Sequence, residues 1–429
     1  MSSLVTAYLL VIMAGGLWMG AGLGIAGLII LFFFGGGTNS FEIATVAIWN
    51  MLYSFPLVAL PLFILLGELL VQFDLSIRVY RALTPLFERL PGKLLLSNVV
   101  LCALFGATSG SSMATAATVG SAAYPELRAK GYNRSALLGS LAGSGTLGIL
   151  IPPSIPIIIY ASLTDVSVGA SFVAAVIPAI IAVTLFVGYV MVQARVRPEY
   201  TPAQGEVVPL RKTLPGLINL FPVAALIGCV MGTIYLGFAT VTESAALGVI
   251  AAVFIGMLYR TCTIKRIGRA LLGTSVTCAS IGFVMAGAMI FSMALAVVGL
   301  PREIVSFVQS LDMSPLMLLI GIYIFYFIFG MFIGATEMLV TTLPFTFPLI
   351  VALGHDPVWF AVAIVILCEI GQITPPAGFV LFILKGIAGK DTTMGELARG
   401  SIPYVIMLLL VLALITIYPQ LATYLPGKM

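Results

Sequence analysis

Residues 143–153 read Gly143-Ser-Gly-Thr-Leu-Gly-Ile-Leu-Ile-Pro-Pro153, and residues 371–378 read Gly371-Gln-Ile-Thr-Pro-Pro-Ala-Gly378. Each run sits at the centre of a long apolar segment, 136–163 and 358–385. Proline removes a backbone donor and clashes with the preceding turn, so neither segment is one straight helix. In hydrocarbon an unsatisfied backbone group is costly, and irregular backbone is tolerated there only against protein or a wet cavity. The freed amides and carbonyls must therefore find partners elsewhere in the chain.

The surrounding sequence is built for lipid. Of 429 residues, 61% are hydrophobic and 8% charged, against roughly 25% charged in ordinary soluble proteins. A water-soluble fold is excluded. A crossing takes about 20 residues, and nine full crossings are expected, at 4–34, 44–73, 136–163, 169–194, 217–236, 240–259, 274–300, 358–385 and 401–424. The first lacks a basic leader and is too long for a signal-peptide core, so it reads as a mature transmembrane helix. None of the five cysteines forms a CxxC pair, and they read as small core residues.

Two further apolar segments, 94–125 and 314–353, are interrupted by the small-residue runs Gly106-Ala-Thr-Ser-Gly-Ser-Ser112 and Gly330-Met-Phe-Ile-Gly-Ala-Thr336. They read as re-entrant hairpins. Arg78, Arg81, Arg89 and Lys93 precede the first, and Arg128, Lys130 and Arg134 follow it. With both hairpins entering and leaving on one side, only Arg302 and Lys428 of the 20 basic residues fall outside, as the positive-inside rule requires. The N-terminus is then cytoplasmic and the C-terminus periplasmic. The basic residues report orientation rather than nucleic-acid binding.

The halves match at an offset of 223 to 225 residues: Gly106 and Gly110 with Gly330 and Gly334, Thr118 with Thr342, Pro125 with Pro348, Gly148 with Gly371, Pro152-Pro153 with Pro375-Pro376. One hairpin opens to the cytoplasm and the other to the outside, so the repeats are inverted, an organisation of secondary transporters. The fold class expected is an all-α polytopic membrane protein, an inverted-repeat elevator-type transporter with two re-entrant helical hairpins and two broken helices. Stretches 76–91 and 301–312 carry charges at helical spacing and read either as interfacial helices bracing a scaffold or as solvated loops.

Hairpin arms reach about 20 to 24 Å, which puts both tips at mid-membrane depth, each facing a break. Carbonyls, hydroxyls and helix C-termini suit a small hard cation, Na⁺ rather than a softer metal. Half-helix N-termini suit an anionic substrate group. Candidates to line a substrate path are Ser144, Pro152, Pro153, Glu337, Gln372, Pro375 and Pro376. Glu337 and Glu369 are intramembrane acids, open to site-lining, proton-carrying or structural readings. Thr240-Val-Thr-Glu243 fits a capping box.

The runs 106–112, Ile-Pro-Pro-Ser at 151–154, Thr242-Glu243-Ser-Ala-Ala246 and Gly371-Gln-Ile-Thr-Pro-Pro376 together resemble the large membrane subunit of tripartite ATP-independent periplasmic (TRAP) transporters. The resemblance spans essentially the whole chain. It implies an elevator-type, Na⁺-driven importer of organic acids, sialic acid or C4-dicarboxylates foremost, in the bacterial inner membrane. It also implies a periplasmic substrate-binding protein and a small four-helix membrane subunit, expected here as a separate chain. By the family pattern Na⁺ sites carry onto Ser109, Gly110, Ser111, Ser112, Gly145 and Thr146, and onto Gly334, Thr336, Gly371 and Thr374. No organic cofactor is implied.

The expected division is 1–93 scaffold helices and amphipathic arm, 94–168 first transport hairpin and broken helix, 169–313 scaffold, connecting helix and second arm, 314–400 second transport unit, and 401–429 C-terminal helix. A membrane enzyme or redox subunit would need paired histidines or clustered cysteines, and the single histidine is His355. A stand-alone dicarboxylate/sodium symporter is the nearest alternative, separated by dependence on a binding protein.

Overall fold

The computed structural model describes residues 19–35, 37–202, 220–310 and 313–429, and the described residues are helical with no strand. The expected crossing over 4–18 and most of the 197–213 loop lie outside them. The first half comprises α1 (Met19–Phe34), α2 (Ser40–Leu52), α3 (Phe55–Gln72), α4 (Leu75–Phe87), α5 (Leu94–Ser109), α6 (Ser112–Ala129), α7 (Arg134–Leu150) and α8 (Ile155–Thr164). Helices α9 (Val168–Val196), α10 (Phe221–Tyr235), α11 (Val241–Leu258) and α12 (Ile264–Val298) lead to the second. It comprises α13 (Leu300–Ser310), α14 (Pro315–Gly330), α15 (Ala335–Ala352), α16 (Pro357–Gln372) and α17 (Phe379–Ala388), followed by α18 (Met394–Ile417) and α19 (Gln420–Thr423).

Both small-residue runs turn the chain back on itself. Helices α5 and α6 form a hairpin whose open ends lie side by side: Leu94 N–H donates to Tyr132 Oη at 3.2 Å, and Lys130 pairs with Glu88 at 3.4 Å. A single crossing over 94–125 would have held these residues a membrane apart. The second hairpin, α14 and α15, is tied by Thr342 Oγ1 donating to the Tyr326 hydroxyl at 2.6 Å, with Thr346 at 2.6 Å from the same hydroxyl.

Loop ends segregate as the charge pattern requires. Lys93 Nζ reaches Pro202 O, and Arg134 donates to Asp391 O at 2.7 Å. Phe55, Asp165, Ala239 and the C-terminal Met429 border a different crevice.

Three boundaries differ from expectation. Segment 44–73 is two helices, because Ser54 is extended (ψ 115°) and Pro56 opens a new helix at α3. Helix α12 starts at Ile264 rather than 274, so Lys265, Arg266 and Arg269 ride its first turns, and Arg266 pairs with Asp74 at 2.7 Å. The unwound stretches are also shorter: Gly143 to Leu150 remain helical in α7, and Gly371 and Gln372 close α16.

The glycines of α7 serve close approach instead of unwinding. A Cβ on Gly139 would run into the backbone of Gly400, one on Gly143 into the ring of Tyr404, and one on Gly148 would lie 2.7 Å from Ser111 O. Small residues let helix backbones meet where lipid supplies no hydrophobic drive. Residues 136–150 are accordingly all buried, as are 359–372 of α16. By contrast Trp49, Leu236, Phe254 and Ile264 present exposed apolar surface of the kind lipid covers. Of the stretches 76–91 and 301–312, residues 76–87 lie in helix α4 and 301–310 in α13, the first packed on α5 and the second on α15.

The same close packing recurs in the second half, where a Cβ on Gly371 would lie 2.5 to 2.7 Å from Gly330 backbone atoms. Gly371→Ala is expected to destabilise the protein by about 1 to 3 kcal/mol, since backbone cannot yield as a side chain does. Gly321→Ala, with nothing within 4 Å, should be neutral. Thermal melting of the purified proteins in one detergent checks the pair; equal midpoints would refute the packing argument.

Candidate functional site

Each hairpin tip meets the break of its own half. At the first, Gly110 adopts φ +61°, and a Cβ there would lie 2.7 Å from Pro153 O; glycine meets both demands at little cost. Gly110 O accepts the Ile155 N–H at 3.3 Å. Ser111 caps α6 by accepting the Ala114 N–H at 3.4 Å, and Ser154 caps α8 while its hydroxyl donates to Ile149 O.

At the second, the turn runs from Met331 to Gly334, and Met331 O accepts from Ala377 N–H at 3.1 Å and Gly378 N–H at 3.4 Å. Both diproline bonds are cis.

The two tips face one central cavity of about 290 Å³. Tip one contributes Gly110, Ser111 and Ser112, tip two Thr336 and Glu337, and the end of α16 Gln372. Its remaining polar wall is Thr277 and Ser280 of α12. The N-terminal turns of α6, α8 and α15 all border it, through Ser112 and Met113, Ile155 and Pro156, and Ala335 to Glu337. Three positive dipole ends converging on one space favour an anionic group there.

Of the other residues singled out in the sequence, several lie just behind this wall. Ser109 and Thr115 share a hydroxyl hydrogen bond of 2.9 Å, and Ser112 Oγ donates to Thr146 O at 2.9 Å. Thr146 Oγ1 turns back onto Gly143 O at 2.7 Å, and Gly145 packs on Ala116. Gly334 is the N-cap of α15, with the Glu337 carboxylate folded over its Cα, and Thr374 donates to Ile370 O at 2.6 Å.

Other candidates are placed away from the cavity. Ser144 is buried within α7 with no partner for its hydroxyl among the described residues, Pro152 and Pro153 are buried, and Pro375 and Pro376 are exposed. The reason is that the tips bond residues after each diproline, so the helix ends flanking the breaks reach the cavity and the prolines do not. Glu369 is fully buried, and neither carboxyl oxygen has a hydrogen-bond partner among the described residues. Glu243 closes the capping box with Thr240, accepting its N–H at 2.8 Å.

Sequence reading missed Met331, whose role is a backbone carbonyl and leaves no mark in side-chain identity. It also missed Thr277 and Ser280. Their spacing of one helical turn puts them on one face, but Thr274, Ser275 and Ser292 of the same crossing carry hydroxyls too, so the pair did not stand out.

The family model for the DctM component of the tripartite ATP-independent periplasmic transporter matches residues 6–421. The chain is 31% identical to the C4-dicarboxylate TRAP transporter large permease protein DctM of Pseudomonas aeruginosa, covering 94% of this chain and 93% of that one. It is 30% identical to the sialic acid TRAP transporter large permease protein SiaM of Vibrio cholerae, covering 87% and 86%. Among solved structures, the YdaH transporter of Alcanivorax borkumensis shares the fold with a TM-score of 0.63 at 16% identity, over 90% of this chain and 88% of that one.

The wall assignment predicts accessibility. In a chain with its five native cysteines replaced, Thr277→Cys and Ser280→Cys should react with a small water-borne thiol reagent, while Ser144→Cys should stay unlabelled. Mass spectrometry of the labelled protein reads this; labelling of position 144 as fast as 277 would displace the cavity.

Proposed function

The chain belongs to the DctM family, the large permeases of TRAP transporters, and on that premise we propose that it carries out Na⁺-coupled uptake of an organic acid across the bacterial inner membrane by elevator-type alternating access. The observation that carries this reading is the meeting of two hairpin tips, one from each repeat, at a single cavity bordered by three helix N-termini. A site built between inverted repeats opens to alternate sides as the repeats exchange conformations.

The anion is held by the N-terminal ends of α6, α8 and α15 and by the hydroxyls and amide of Thr277, Ser280 and Gln372. Na⁺ is held behind each tip by neutral oxygens: Ser109 to Ser112 with Gly145 and Thr146 in one half, Gly334 and Thr336 with Gly371 and Thr374 in the other. The donors fit a hard cation, being hydroxyls and backbone carbonyls. A carboxylate substrate entering a cavity that already displays Glu337 needs such a cation to offset repulsion. Residues 94–168 and 314–400 form the moving body, with 1–93 and 169–313 as scaffold and α4 and α13 as braces.

Membership in the family supports a periplasmic binding protein and a small membrane subunit as partners. The relatives named for C4-dicarboxylates and sialic acid support those acids as the substrate classes.

In proteoliposomes holding this chain and its small partner, labelled acid should accumulate only with binding protein and an inward Na⁺ gradient. Uptake by the chain alone, or indifference to Na⁺, would reject the proposal. Ser111→Ala and Thr336→Ala should each raise the half-saturating Na⁺ concentration about tenfold, the loss of one hydrogen-bonding or ligating oxygen to a charge. Unchanged Na⁺ titrations in both would remove the ion-site assignment.

A further inference from the structure

We propose that the crevice between the C-terminal end of α9, the N-terminal end of α7 and residues 399–404 of α18 binds the phosphate headgroup of an anionic phospholipid. The crevice encloses about 560 Å³, and among the described residues its charged lining is Arg197 and Arg399, with no carboxylate. Arg197 is pre-positioned: its Nη1 donates to Tyr200 Oη at 2.6 Å, and its guanidinium lies 5.4 Å from the centre of the same ring. Tyr200 is in turn fixed by its carbonyl, which accepts the Asn133 N–H at 3.1 Å.

A second observation points to a ligand. Tyr404 lines the crevice and is 1% exposed, its ring held edge-on against Phe186 and Tyr189 at 5.0 and 5.5 Å. Its hydroxyl is buried with no hydrogen-bond partner among the described residues. Buried hydroxyls are ordinarily satisfied, and an orphan in a basic crevice calls for an acceptor from outside the chain. Two guanidinium forks, this phenol and the positive end of α7 make a phosphate site. Glu396, one turn before Arg399, is engaged by Arg134 at 3.7 Å.

The surroundings select a lipid over free phosphate. Val192 and Val196 of the crevice are 58% and 72% exposed, and Ile402 and Ile406 on α18 are 52% and 59% exposed, an apolar surface beside which acyl chains lie. The crevice opens where Lys93, Arg134 and Arg197 gather, the side assigned to the cytoplasm by the charge rule, and that leaflet carries the anionic lipids. One phosphate there would bridge α9, α7 and α18.

The test titrates the purified full chain, in neutral detergent, with phosphatidylglycerol, phosphatidylcholine or inorganic phosphate and reads bound species by native mass spectrometry. Phosphatidylglycerol should bind at least tenfold more tightly than the other two. Arg197→Gln with Arg399→Gln should weaken it by about tenfold or more, the loss of charge-assisted bonds, whereas Arg302→Gln should leave it unchanged. Tyr404→Phe removes only the hydroxyl, so it keeps the test sound if the double variant misfolds, and it too should weaken binding. Equal binding of the two lipids, or phosphatidylglycerol affinity unchanged in Tyr404→Phe and the arginine variant, would overturn the site. Phosphate binding as tight as the lipid would overturn the lipid assignment.

Discussion

The structure depends on satisfying backbone groups that two diprolines set free in the middle of a bilayer. Water is not available to do it, and a lipid-exposed break would be too costly to persist. The chain answers with carbonyls at the tips of re-entrant hairpins: Gly110 O for Ile155 N–H, Met331 O for Ala377 and Gly378 N–H. Hairpin and break are therefore one unit, neither stable at that depth without the other. Since each tip must reach its break, both tips end near the same level, and the space left between them becomes the cavity.

The two units share a plan and differ in chemistry. The first tip turns tightly through Gly110 and carries three serines, while the second uses a longer turn and places Glu337 where the first half has Met113. Glu337 occupies the third position of α15, and its carboxylate folds over Gly334, which lacks a side chain to obstruct it. A carboxylate in the first turn of a helix is favourably placed against the dipole, so the local fold accommodates this acid in an otherwise neutral lining. The duplicated geometry supplies the cavity, and the divergent tip residues set what it holds.

Much of this was legible in the sequence because its signals were physical constraints on backbone. Pro-Pro pairs, the runs at 106–112 and 330–336, and the sidedness of lysine and arginine each restrict where the chain can go. What was not legible falls into two kinds. Gly143 to Leu150 looked like unwound chain, yet the glycines are contact points for Gly400, Tyr404 and Ser111 on a continuous helix; composition does not distinguish a glycine that bends from one that lets a neighbour in. Thr277, Ser280 and Met331 enter the site through tertiary placement, and a lone hydroxyl or a carbonyl carries no pattern along the chain. The prolines erred in the opposite sense: they announce the break but point away from the space it creates.

The glycine contacts also bear on what can move. Backbone laid against backbone through glycine, as Gly139 against Gly400 and Gly371 against Gly330, interlocks two helices so closely that sliding would require both to separate first. Such contacts join α18 to α7 and α14 to α16. The wall of the cavity formed by α12 is different: Thr277, Ser280 and Val284 line it opposite the tips, and α12 also packs on α15. Helix α12 is instead locked to α1, where Gly20 and Gly27 abut the backbone of Phe283 and Phe291. The polar side chains of the cavity thus come from two sets of glycine-locked helices, the tips with their broken helices on one side and the α1–α12 pair on the other.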